Sequence, residues 1–358
     1  MRRVSKKSIG SIALLALATI GLYACGGGSD SSSSSVSDPG TPTTLVTSTN
    51  GQSTVNCAKG QQCIDPFFAN LIGLASTLSQ AATPWTDTST NIIAISKIPY
   101  VEGSNSATTY AAAGSVFAMT TDEVAGTRSF KGNGLPSFSM GTFPVQSGTA
   151  AYPYYAELPG GTNPYTGQEY SSAAAIGISP YDITSTIPLN PVATGFYPIN
   201  SLIVGITLTG AVWHSEVAND SNNNWYSPVN VLPLDQCWGH PYSQQYHLHG
   251  YSWKCFPNQG TSGQSPVFGF ALDGFPITGP RGADGKMITN AQLDQCHGMT
   301  SEITMPDGTR KNTYHYVLNR EYPYSVGCFR GKVNYYQALG SNEMRETNLP
   351  IYRDVPYP

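Results

Sequence analysis

An internal repeat constrains the fold of this chain more than any other feature of its sequence. Four short blocks occur twice in the same order, and such an order indicates a duplication. The paired blocks are 204–210 with 268–274, 234–239 with 293–298, Tyr246-His247 with Tyr314-His315, and Cys255-Phe256 with Cys328-Phe329. We therefore expect two related units, at about 203–256 and 267–329, around a pseudo-twofold axis. The two Tyr-His strands are expected to face each other near that axis.

Short runs of β-branched and aromatic residues, broken by Gly, Pro and Asn, continue from residue 92 onward. Those at 91–98, 201–208, 267–272 and 313–318 predict strands. The predicted fold class is mainly β, a disulfide-stapled sandwich or distorted barrel built from the two pseudo-repeated units. One N-terminal helix is expected after Asp65, a good N-cap, and Pro66, which suits a first turn. Its apolar face would be formed by Phe68, Leu71, Ile72, Ala75 and Leu78.

The first 24 residues have the pattern of an export signal. Basic residues precede an apolar core at 9–22, which is shorter than the about 20 residues that a membrane span needs. The core ends at Ala24-Cys25, which resembles a bacterial lipoprotein signal. That resemblance implies a signal peptide at 1–24 and a lipid anchor, such as palmitate, on Cys25. An ordinary secretory signal is the alternative. Gly26 replaces the usual inner-membrane retention Asp, so an outer-membrane location in the cell envelope is expected.

Residues 25–54 are rich in Gly, Ser, Thr and Pro and predict a flexible tether. Charged residues make up only 11% of the chain, and the net charge is −4 without a basic stripe. Nucleic acid is therefore not an expected partner. The expected partner is a membrane, reached through the lipid anchor. The identity of any small-molecule or glycan ligand stays open.

Six cysteines remain beyond Cys25, and an even number in an oxidising compartment predicts three disulfides. We favour pairing between neighbours in the sequence, although six cysteines allow about 15 pairings. A thiolate metal site is the weaker alternative because the chain has no C-x-x-C spacing. The favoured pairs are Cys57–Cys63, Cys237–Cys255 and Cys296–Cys328.

Five of the six histidines fall between His240 and His315. His247 and His249 are two residues apart, so on a strand both rings emerge on one face with Cα atoms about 7 Å apart. His315 is the duplicated partner of His247, and His240 lies in the same disulfide loop as His247. These four residues are the predicted metal ligands. Imidazole ligands suit copper or zinc, and copper has the higher intrinsic affinity.

These residues strongly resemble the YHYH-domain family of exported bacterial proteins. The resemblance covers roughly 90–335 and rests on the blocks 240–250, 269–277, 293–298 and 313–331, with a similar earlier block at 134–144. Leu248 replaces the second tyrosine of the name-giving motif, and Phe138 replaces a histidine that is frequent in the early block. The resemblance implies a domain at 91–335, after a helical lead-in at 55–90 and before a C-terminal tail at 336–358. It implies no activity.

Two functions stay open from the sequence. In the first, the histidines hold copper or zinc while Asp273, Tyr246 and Tyr314 orient the imidazoles, and an open coordination position would permit catalysis. In the second, the protein is a non-catalytic envelope module whose Tyr-His strands form a hydrogen-bonded core seam with Asp235 and Asp294. A metal-free serine hydrolase is disfavoured because no Gly-x-Ser-x-Gly motif is present. His214 and His297 lie outside the Tyr-His strands, and Arg330 is expected to pair with Asp294.

Overall fold

The computed structural model describes residues 100–152 and 176–339, together with two short strands before them. Gaps within the second range fall at 217, 220–224, 227, 232, 253, 257–262 and 320. The predicted N-terminal helix, the signal peptide, Cys25 and the Cys57–Cys63 pair lie outside the described residues.

The described fold is mainly β, as the sequence predicts. The strands are β1 Leu45–Thr47, β2 Ser53–Val55, β3 Phe117–Asp122, β4 Thr127–Gly132, β5 Ile183–Pro188, β6 Ile203–Thr207, β7 Val212–His214, β8 Ala218–Asn219, β9 Trp225–Tyr226, β10 Gly239–Tyr242, β11 Gln245–Leu248, β12 Val267–Ala271, β13 Pro276–Thr278, β14 Gly298–Thr304 and β15 Arg310–Val317. Helical structure is limited to Ala107–Tyr110, Pro228–Val231, Tyr335–Leu339 and the 3₁₀ turn Asn290–Gln292. None of the helices described here has the length and apolar character that crossing a bilayer requires.

The main sheet has eight strands in the order β10-β11-β7-β6-β12-β13-β15-β14. This order is symmetric about its centre. The antiparallel pairs β6–β7 and β10–β11 correspond to β12–β13 and β14–β15, and the parallel pair β7–β11 corresponds to β13–β15. The centre is the antiparallel pair of β6 and β12. The topology thus confirms two repeated units around a pseudo-twofold axis.

The same turn precedes the outer hairpin of each unit. In the first unit, Oδ1 of Asp235 accepts hydrogen bonds from the N–H groups of Cys237 and Gly239, at 2.8 and 3.1 Å. In the second, Oδ1 of Asp294 accepts the equivalent bonds from Cys296 and Gly298, at 2.9 and 3.2 Å. The residue before each glycine has a positive φ, 61° at Trp238 and 70° at His297. The repeated Leu-Asp-Gln-Cys-x-Gly block therefore encodes one local structure twice.

A three-stranded sheet, β3-β4-β5, covers one face of the main sheet. Phe130 of β4 packs on Phe270 of β12, with ring centroids 6.2 Å apart, and the Arg128 guanidinium lies 3.6 Å from the same ring centroid. Phe130, Phe270 and Ile187 are almost fully buried. The core between these sheets gives the fold its sandwich-like arrangement.

Two of the predicted disulfides are confirmed. Cys237 bonds Cys255, with Cα atoms 5.5 Å apart, and Cys296 bonds Cys328, with Cα atoms 4.5 Å apart. Each staples one repeat, because it ties the Asp-capped turn to the chain that follows the Tyr-His strand.

The expected meeting of the two Tyr-His strands at the axis is wrong. Strands β11 and β15 are each the second strand from an outer edge of the sheet, and β7, β6, β12 and β13 lie between them. Five strand steps of about 4.8 Å separate them by about 24 Å. The axis passes instead between β6 and β12, and neither of these strands contains a histidine.

Candidate metal centre

Three histidines are brought together by the outer hairpin of the first repeat. His240 on β10 lies directly opposite His247 on β11, so both side chains emerge on the same face of the sheet. His249 follows His247 at the two-residue spacing that keeps it on that face. The parallel pairing of β7 with β11 adds His214 and Glu216 from the neighbouring strand and its end.

The Nε2 atoms of the three rings converge on one point. Nε2 of His249 lies 3.0 Å from Nε2 of His247 and 3.1 Å from Nε2 of His240. All three ligand atoms lie within 4.8 Å of one another. The two contacts made by Nε2 of His249 have the spacing of adjacent ligands on one ion with bonds of about 2.0–2.1 Å.

The other ring nitrogens fix the tautomers of two of these histidines. Nδ1 of His247 faces the backbone carbonyl of Gln245 at 3.2 Å, and Nδ1 of His249 faces Oε2 of Glu216 at 3.1 Å. A carbonyl and a carboxylate accept hydrogen bonds only, so both Nδ1 atoms carry the hydrogen. Nε2 of His247 and Nε2 of His249 then face each other across 3.0 Å. If both rings are neutral, two lone pairs meet there, and a cation between them, either a metal ion or a proton, relieves their repulsion.

Glu216 is itself held in place. Its Oε1 accepts the N–H of Val229 at 2.9 Å, while its Oε2 faces His249. The residue is 2% exposed. A carboxylate on the second nitrogen of a histidine is the usual outer partner of a metal-bound imidazole, because it fixes the ring and raises its basicity.

His214, at the end of β7, stacks on the ring of His247. Its ring centroid lies 3.6 Å from that of His247. Its Nε2 and Oε1 of Gln245 are buried near each other without a hydrogen bond of good geometry. Nδ1 of His240 is also buried without a partner, which is uncommon for a buried polar atom.

Burial lowers the pKa values of two of the three converging histidines. His240, His247 and His249 are 3%, 1% and 3% exposed. Burial, followed by the neighbouring histidines, lowers the pKa of His240 well below its ordinary value, and the pKa values of His247 and His214 are lowered for the same reasons. Neutral rings with free Nε2 lone pairs are the state that a metal ion requires.

The structure does not bring His315, the fourth predicted ligand, to this cluster. In β15, its Nδ1 lies 2.9 Å from Oγ1 of Thr278 and its Nε2 lies 2.8 Å from Oγ of Ser301. Both ring nitrogens are thus occupied, and burial lowers the pKa of His315 to about 4. His315 belongs to a hydrogen-bonded seam of the second repeat.

The residues predicted to orient the imidazoles form hydrogen bonds with other groups. Tyr246 donates to Oδ2 of Asp235 at 2.8 Å, and Tyr314 donates to Oδ1 of Asp294 at 2.9 Å. Asp273 accepts the Tyr316 hydroxyl at 2.7 Å and the N–H of Gly331 at 2.9 Å. These tyrosines and Asp273 hold turns and strands together, whereas Glu216 and the Gln245 carbonyl face the imidazoles.

The remaining marked residues are structural. His297 bonds Oδ1 of Asn290 at 2.7 Å. Arg330 pairs with Asp294 at 3.4 Å, as expected. Phe138 packs against Tyr246, with ring centroids 6.4 Å apart.

The second repeat shows why only one centre forms. The registers of the two outer hairpins place Met299 where His240 lies and Val317 where His249 lies. The parallel registers likewise place Thr278 where His214 lies. His247 is the one histidine of the first cluster whose equivalent position in the second repeat is also a histidine, His315.

Sequence reasoning missed His214 as a member of the cluster and missed Glu216 altogether. A signal for both was present: they are two residues apart after Val212-Trp213, the spacing that singled out His247 and His249. That signal gains meaning only from the pairing of β7 with β11, which joins segments more than thirty residues apart.

Residues 184–287 match the family model described as YHYH protein. The matched segment includes the three converging histidines, His214 and Glu216, while His315 lies beyond it. No curated protein and no solved structure matches the chain. This match over residues 184–287 confirms the resemblance to the YHYH-domain family seen in the sequence.

Proposed function

We propose that the first repeat binds one copper or zinc ion through Nε2 of His240, His247 and His249. The observation that carries this proposal is the convergence of Nε2 of His247 and Nε2 of His240 on Nε2 of His249, at 3.0 and 3.1 Å. One ion can bond to nitrogens that face each other in this way. The all-imidazole donor set suits copper and zinc.

The chain's own groups would hold the site in its binding form. The Gln245 carbonyl and the Glu216 carboxylate accept the Nδ1 hydrogens of His247 and His249, which leaves Nε2 of each ring as the nitrogen that faces the centre. The stacked ring of His214 limits rotation of His247. When bound, zinc would supply Lewis acidity, and copper could also supply one-electron chemistry. The near-complete burial of the three rings favours holding the ion over catalysis on a large substrate.

A non-catalytic binding or structural module is the second candidate function. The observation that favours it is the second repeat, in which Tyr314 and His315 are fully engaged with Asp294, Thr278 and Ser301. In this alternative the first repeat would also be a hydrogen-bonded seam. The contact between Nε2 of His247 and Nε2 of His249 would then be a hydrogen bond through a proton on one of the two nitrogens.

Metal analysis of protein purified without a histidine tag separates the two functions. We expect one copper or zinc ion per chain in the wild type, loss of that ion in His247→Ala, and its retention in His315→Ala. His315 is the matched control because it is a buried histidine at the equivalent position of the other repeat. A wild-type protein that holds no stoichiometric metal, and whose melting temperature does not change with added Cu(II) or Zn(II), would favour the structural module.

We also propose that the protein is exported and anchored to the outer membrane by a lipid on Cys25, with 25–54 as tether. The signal-like sequence before Cys25 supports this location. Labelled palmitate should be incorporated into the wild type but not into Cys25→Ser. Equal labelling of the two, or neither, would argue against the anchor.

A further inference from the structure

The charge around the three converging histidines is set by a single carboxylate. An imidazole that binds a metal ion through Nε2 and keeps its hydrogen on Nδ1 is neutral, and the Glu216 carboxylate contacts one of the three rings, that of His249. Glu216 and the three histidines are almost completely buried. A monovalent ion would make this buried group of charges neutral, whereas a divalent ion would leave one uncompensated positive charge. An uncompensated buried charge is strongly unfavourable.

The number of donor atoms also separates the possible ions. Among the described residues, three histidine nitrogens form the cluster, without a fourth histidine, cysteine or carboxylate ligand within its limits. Zn(II) in proteins is almost always four-coordinate, so it would need a further ligand in a site that is closed to solvent. Cu(I) is stable with three nitrogen donors in a plane. Charge and coordination number therefore favour the same ion.

We infer that the centre binds copper as Cu(I), with three histidine ligands, in preference to Zn(II) or Cu(II). This inference rests on the proposed metal-binding function and specifies its ligand. Because the site is closed and neutral when Cu(I) is bound, its role is to hold the ion away from other ligands. The same properties admit Ag(I), which has the same charge and does not change oxidation state under the conditions used.

Competition titrations of the full untagged chain test the inference. Cu(I) affinity is measured without oxygen against the chromophoric chelator bicinchoninate, and Zn(II) affinity against a zinc-binding dye. We expect one Cu(I) per chain, bound more tightly than Zn(II) and displaced by Ag(I) but not by excess Zn(II). X-ray absorption at the copper edge should show three nitrogen neighbours. Tighter binding of Zn(II) would overturn the inference and leave the metal-binding function standing, while no binding of either ion would overturn both.

A charge-changing pair of variants tests the physical cause. His240→Glu replaces a neutral ligand with an anionic one, so the buried group becomes neutral with a divalent ion, and two histidines with one glutamate suit zinc. We expect the ratio of Cu(I) to Zn(II) affinity to fall at least about tenfold in this variant. His240→Gln, which removes the ligand without adding charge, should weaken binding of both ions. An unchanged ratio in a folded His240→Glu would contradict the charge argument, and the wild-type titration decides the ion if that variant does not fold.

Discussion

His214 and His247 stack face to face, with ring centroids 3.6 Å apart and 13° between the ring planes. The contact follows from strand pairing, because Val212 of β7 lies beside His247 of β11 in a parallel ladder. His214 therefore covers one face of His247, one of the three proposed metal ligands. The stack restricts the direction in which Nε2 of His247 can point.

We expect His214→Ala to weaken metal binding by about tenfold, the lower end of the effect of losing an outer partner of a metal ligand. His214→Phe keeps an aromatic face against His247 and should retain most of the wild-type affinity. Titration of both purified variants with the bound metal measures the difference. Equal affinities in wild type and His214→Ala would show that the stack does not position His247.

Gly239 and Gly298 offer a matched test of the repeat. A Cβ atom at either position would lie 2.2 Å from the hydroxyl oxygen of a buried tyrosine, Tyr246 or Tyr314. Both Gly→Ala changes should lower the free energy of unfolding by about 1–3 kcal/mol, because overpacking forces side chains and backbone to shift. Only Gly239→Ala should also weaken metal binding, since Gly239 adjoins His240. Urea unfolding and metal titration of the two variants check this, and a similar loss of metal in both would contradict it.

The stability of the protein should fall in mild acid, in part through His315. Burial lowers its pKa from 6.5 to about 4. Between these two pH values, His315 is therefore protonated in the unfolded chain and neutral in the folded chain. Stability from this group is complete above pH 6.5 and falls by about 1.4 kcal/mol per pH unit down to about pH 4. His315→Gln should be less stable at pH 8 and show a shallower decline.

Urea unfolding of metal-free protein across this pH range measures the decline. Comparing the variant with the wild type isolates His315 from Asp235 and Asp273, whose pKa values are raised to about 6 by burial and act in the opposite direction. Parallel curves for wild type and His315→Gln would show that this histidine does not contribute.

Arg128 should be replaceable by methionine without loss of stability. Its Nε and Nη1 are buried without partners, and burial lowers its pKa to about 10. Met keeps the apolar contact with Phe270 and removes a charge that is costly to bury, so the free energy of unfolding should rise by about 1 kcal/mol. Arg128→Ala, which uncovers Phe270, should be destabilising. Thermal unfolding compares them, and a Met variant as unstable as the Ala variant would contradict the prediction.

The repeated blocks and the cysteine spacing were sufficient to predict the β fold, the duplication and two disulfides. The two-residue spacing of His247 and His249, with His240 nearby, identified the three converging residues, since all three lie on one local hairpin. Prediction failed where the answer depends on long-range strand order. The equivalence of His247 and His315 in the repeat suggested a shared site, although their strands lie five strand spacings apart, about 24 Å, in the sheet. Glu216 was not predicted because a single acidic residue forms no recognisable pattern in the sequence. Its position in the site follows only from the pairing of the strand before it with the neighbouring strand.

The central pair of β6 and β12 has a consequence for how the molecule arose. An antiparallel pair across a twofold axis is the contact that two identical chains would make in a symmetric homodimer, each contributing four strands. Joining the two copies in one polypeptide removes the requirement that both change together. The two copies can then carry different chemistry at equivalent positions, with imidazoles in one and Thr278, Met299 and Val317 in the other.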